Sequence, residues 1–133
     1  MTCNNTIMTP VIEHFIADTL RQPDAACGSV AVGGGAAPGR LSRRAPASLR
    51  GAQARVVPWS LSRAAHLLAH AARRPLRLGE TGIGPDARVV INILDALGRG
   101  DAEAADHAAE WLVRPHGREA LLRALTPAAE ALR

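Results

Sequence analysis

Alanine supplies 27 of the 133 residues, against 30 for Leu, Ile, Val and Phe together. That ratio limits what the chain can fold into. Methyl groups fill little volume, and so small a share of larger apolar side chains stands just above the level typical of disordered chains. The expected core is thin, with Leu, Val and Ile at its centre and Ala where backbones approach closely. A second copy of the chain or a protein partner is expected to complete it. The length fits one modest domain.

The apolar residues recur at helical spacing between proline and glycine punctuation. "TPVIEHFIADTLRQP" (9–23) predicts a helix with Thr9 as N-cap and Pro10 at the first position. Its inward face is Val11, Ile12, Phe15, Ile16 and Leu20. "SLSRAAHLLAHAARRP" (60–75) predicts a second helix, capped by Ser60 and stopped by Pro75, with Leu61, Ala64, Ala65, Leu68 and Ala72 inward. "DARVVINILDALGRG" (86–100) also fits a helix, ended by Gly98. Its β-branched run would suit a buried strand, but the spacing continues through Leu97 and favours the helix. "DAEAADHAAEWLVRP" (101–115) starts at an Asp cap and turns Ala105, Ala108, Ala109 and Leu112 inward. "HGREALLRAL" (116–125) and "TPAAEALR" (126–133) predict two further short helices. The fold class is therefore all-α, a small bundle of four or five short helices.

Three stretches follow from this reading: an N-terminal helix in 1–23, a flexible basic loop in 24–57 and a helical domain in 58–133. The loop is rich in Gly, Ala and Arg and has little apolar periodicity. Within it, "SVAV" (29–32) and "RVV" (55–57) could pair as a short β-ribbon.

Charge is segregated along the chain. Residues 25–79 hold nine arginines and no carboxylate, whereas residues 80–133 hold nine acids and six arginines. A stretch of that kind calls for an anionic partner or for pairing with the acidic C-terminal part. All sixteen basic residues are arginine, and with the alanine excess this points to a GC-rich bacterial or phage genome. Such a bias weakens any claim that each arginine was selected for its forked guanidinium.

The candidate binding residues form two sets. The basic set comprises Arg40, Arg43, Arg44, Arg50 and Arg55 in the loop, then Arg63, His66, His70, Arg73 and Arg74 in one predicted helical stripe. The acidic set is Glu103, Asp106 and Glu110, on the outer face of the helix expected over 101–115. His66 and His70 share the i, i+4 spacing of a metal pair, but the intervening "LLA" brings no general base and the arginines repel a cation. They are read as surface histidines, with no metal and no cofactor expected. "GETGIG" (79–84) lacks the Lys-Ser/Thr of a phosphate loop, and no nucleophile motif is present. A helix-turn-helix reading of 91–112 would present Asp101, Glu103, Asp106 and Glu110 to phosphates, the wrong sign. Trp59 and Trp111 are expected in core or cap packing, although beside arginine they also suit an interface.

These features predict a non-enzymatic binding protein that works through contacts with a protein partner or with itself. Binding of nucleic acid through the Arg-rich segment 40–77 is the alternative. No small-molecule substrate is evident. No membrane association is expected, because no apolar run approaches ~18 residues. Cys3 and Cys27 are expected as free thiols in a reducing cytoplasm.

Overall fold

The computed structural model describes residues 9–22, 46, 49–79 and 82–133. Among them are five α-helices: α1 (Pro10–Arg21), α2 (Ala52–Ala71), α3 (Pro85–Gly98), α4 (Ala102–Ala109) and α5 (Pro115–Ala131). The long pair α2 and α5 packs most extensively. α1 lies on α2 and α3, and α4 closes against α3 and α5. Arg40, Arg43, Arg44 and the segment 29–32 lie outside the described residues.

α1 follows the predicted chemistry. The Thr9 hydroxyl accepts from the Ile12 N–H at 3.3 Å, and Pro10 opens the first turn. Ile12, Phe15, Ile16 and Leu20 are buried, but Val11, expected inward, is 62% exposed.

α2 begins eight residues before the expected Ser60 cap, because Pro58 lies inside the helix instead of before it. A proline there removes one N–H bond and crowds the preceding turn. Burial offsets this: Val57 and Pro58 are both inside the core, and Leu49 packs just upstream. Gln53 fastens the first turn, accepting from the Arg50 N–H at 3.1 Å and donating to the Ala131 carbonyl at 2.6 Å. Residues 55–57 are thus helical and form no ribbon strand.

Ser60 is buried where α2 crosses α5 and has a different task from capping. Its hydroxyl donates to the Ala124 carbonyl and accepts from the Ala128 N–H at 3.2 Å. Those two groups would bond each other in a regular helix. Pro127, one residue away, disturbs that turn, and the Ser60 hydroxyl bridges it. The two short helices expected over 116–125 and 126–133 are therefore one. Gly117 permits the close crossing, since a Cβ there would stand 2.7 Å from the Ala71 Cβ.

The other helix ends follow expectation at Gly98 and Asp101 and depart from it at Ala109. α3 runs through Gly98, and the chain reverses at Gly100, whose φ of 79° favours glycine. α4 is capped by Asp101, which accepts from Ala104 N–H at 3.1 Å. It stops at Ala109, well before Pro115. No helix among the described residues is long and apolar enough to cross a membrane.

Candidate functional site

α2 ends at Ala71, short of the predicted Pro75. Arg74 precedes Pro75, which disfavours helical backbone there. Ala72 is extended and forms an isolated antiparallel bridge with Val113. The Arg73 N–H donates to Leu112 O, and the Arg114 N–H donates to Ala71 O, both at 2.9 Å. The expected helical stripe is therefore broken. Arg63, His66 and His70 remain on α2, while Arg73 and Arg74 belong to the segment that leads to α3.

That segment is clamped at both ends of its course by side chains. Asp86, in the first turn of α3, has a side chain only 2% exposed. It accepts from Arg74 Nη1 at 2.9 Å, from Arg74 Nη2 at 3.1 Å and from the Arg77 backbone N–H at 2.6 Å. Burial pushes this carboxyl up. The Arg74 fork, the Arg77 N–H and the charges of both guanidinium groups outweigh it, so the group titrates below its ordinary value. On the other side, Arg21 reaches across from α1 and donates to Leu78 O at 3.2 Å and Gly82 O at 2.7 Å, while also pairing with Asp18. Gly84 lies against the backbone of Leu78, where a Cβ would come within 2.4 Å. The glycines of "GETGIG" thus include one required by a close backbone approach.

The clamped segment borders a shallow cleft of about 760 Å³ lined by Arg73, Arg74, Arg77, Glu110 and Trp111. A smaller adjoining hollow of about 380 Å³ shares Arg73 and Arg74 and adds Arg114 and Pro75. Trp111 is 67% exposed, contrary to the expected core or cap packing. Its place in the turn after α4 explains this: Leu112 and Val113 take the buried positions and the indole is left outside. Arg73 Nε donates to the Glu110 backbone carbonyl at 2.7 Å. Among the described residues, Arg73, Arg77 and Arg114 form no side-chain ion pair with a carboxylate. Glu110 and Asp106 are instead engaged by Arg118 of α5, at 2.8 and 3.0 Å.

The remaining candidates are dispersed. Arg63 stands over the Trp59 ring at 5.0 Å, which leaves that indole 46% exposed rather than packed in the core. Arg50, Arg55, His66, His70 and Glu103 are exposed. Among the described residues, Arg73 of the basic set meets the acidic face at the Glu110 backbone carbonyl, and Arg118 engages the side chains of Asp106 and Glu110. Among the described residues, no three His, Cys, Asp or Glu side chains group in a way that could hold a metal ion. Sequence reasoning missed Asp86, Arg114 and Arg118, and took in Arg77 only as the end of the Arg-rich segment 40–77. The signal for Asp86 was its position after "GIGP", at a helix start with Arg74 and Arg77 upstream. Comparisons of the chain with protein families, with characterised proteins and with solved structures find no match in any of the three.

Proposed function

We propose that the chain is a non-enzymatic binding protein that acts through protein–protein contacts, as a regulator, adaptor or inhibitor in a bacterial or phage system. One observation carries this reading: the exposed Trp111 sits in a cleft rimmed by arginines whose segment is fixed by Asp86 and Arg21. Tryptophan and arginine are the residues that most often dominate binding energy at protein interfaces. A clamped segment presents them with little ordering cost on association.

The test is affinity capture from the source cells with the wild-type chain and with Trp111→Ala, with and without nuclease. A protein retained only by the wild-type chain and insensitive to nuclease is the expected result. Retention that nuclease abolishes would move the reading to nucleic acid through the Arg-rich segment. Equal capture by both chains, or turnover of a substrate by the purified protein, refutes it.

A further inference from the structure

We infer that the Trp111 cleft and its adjoining hollow take a short acidic protein segment, two or three carboxylates flanking one apolar side chain, and that Arg73, Arg77 and Arg114 read the carboxylates. The inference rests on the binding-protein reading and adds the chemistry of the partner.

Charge complementarity is the first ground. The cleft and its adjoining hollow hold four arginines. Arg74 is committed to Asp86 through both terminal nitrogens, and the carboxylate of Glu110 is held by Arg118. That leaves Arg73, Arg77 and Arg114 without a direct carboxylate ion pair among the described residues, although the Arg77 charge still acts on Asp86 at longer range. Guanidinium groups bind carboxylates as paired forks, and three of them spread over the cleft and its adjoining hollow suit two or three such groups. The second ground is Trp111, whose exposed indole gives an apolar side chain a surface to cover.

The surroundings favour a short segment over a continuous polyanion. α4 runs into the cleft carrying Glu103, Asp106 and Glu110, and α2 ends beside it with its carbonyl-rich terminus. A nucleic-acid strand carries a charge at every phosphate and would meet that acidic face as it left the arginines. A protein segment can place its few carboxylates within the cleft and continue with neutral or basic residues. The volume of about 760 Å³ matches a few side chains.

The experiment uses the full chain carrying Trp59→Phe, which leaves Trp111 as its only indole. The probe is a blocked synthetic peptide of about eight residues, Asp and Glu around one Leu. The comparators are the same peptide with Asn and Gln for the acids, and a thymidine oligonucleotide of about eight residues. The acidic peptide should shift Trp111 emission to the blue and saturate, whereas the amide peptide should leave it unchanged. Arg73→Ala with Arg77→Ala should weaken binding at least about tenfold at unchanged helix content, the loss of one or more charge-assisted contacts. Arg114→Ala, whose side chain makes no cap bond, provides a second variant with the same expectation. Absence of binding, equal binding of the amide peptide, unchanged affinity in both variants, or tighter binding of the oligonucleotide overturns the inference. If the peptide fails while Trp111-dependent, nuclease-insensitive capture persists, only the acidic chemistry falls and the binding-protein reading stands.

Discussion

Replacing Ser60 by Ala tests how α5 stays one helix through Pro127. The hydroxyl is fully buried and makes two bonds, to Ala124 O and from Ala128 N–H, on residues that are themselves 7% and 0% exposed. Without it, each group must find its partner across the turn that Pro127 disturbs. A buried backbone group left unpaired costs about 1–3 kcal/mol. Partial closure of the turn recovers some of this, so the expected loss is about 2 kcal/mol. For a domain of this size that lowers the Tm by about 8 °C, at about 4 °C per kcal/mol. The assay is thermal and urea unfolding followed by far-UV circular dichroism, run as a cycle with Pro127→Ala. Removing the proline lets the turn close on itself, and Ser60→Ala should then cost under about 0.5 kcal/mol. Additive losses in the double variant, within about 0.5 kcal/mol, would refute the bridging role.

The pH dependence of stability should carry the mark of Asp86. Its carboxyl titrates lower in the folded chain than the ordinary 3.8, so its contribution is complete above that value and is lost as pH falls through the lower folded value. Urea unfolding between about pH 2 and 6 should show this loss, and Asp86→Asn should flatten that part of the profile. Gly117→Ala should destabilise by about 1–3 kcal/mol despite its gain in helix propensity, because its Cβ meets that of Ala71 at 2.7 Å. Stability should return in part when Ala71→Gly is added, as measured by urea unfolding. Gly84→Ala should loosen the segment from Arg73 to Gly79, because a Cβ would stand 2.4 Å from the Leu78 backbone. Limited proteolysis should then cleave there faster than in the wild-type chain.

Local chemistry made α1 and α3 legible. Thr9 and Pro10 mark a start that needs only neighbours in sequence, and the Val90–Leu94 spacing extends beyond what a strand requires. The failures cluster at prolines. From sequence the second helix starts only after Pro58, and Thr126-Pro127 reads as the start of a new helix, because local rules weigh only the lost N–H and the crowded turn. What offsets them is tertiary: burial of Val57 and Pro58, and a serine from α2 that enters the kink in α5. Spacing along one helix could not reveal the bridge between Ala72 and Val113, which takes Arg73 and Arg74 out of the stripe. The same holds for Trp111. Its exposure depends on the neighbours Leu112 and Val113 turning inward after a helix shorter than the alanine pattern suggests.

The most direct test of the cleft uses quenching of Trp111 fluorescence in the Trp59→Phe chain, compared between iodide and caesium at equal ionic strength. An exposed indole beside Arg73 and Arg77, which form no direct carboxylate ion pair among the described residues, attracts anions. Iodide should therefore quench several times more strongly than caesium, and the ratio should fall toward that of a free indole in Arg73→Ala with Arg77→Ala. Equal quenching by the two ions, or a blue-shifted emission that neither reaches, would contradict the arginine-rimmed cleft on which the proposed function rests.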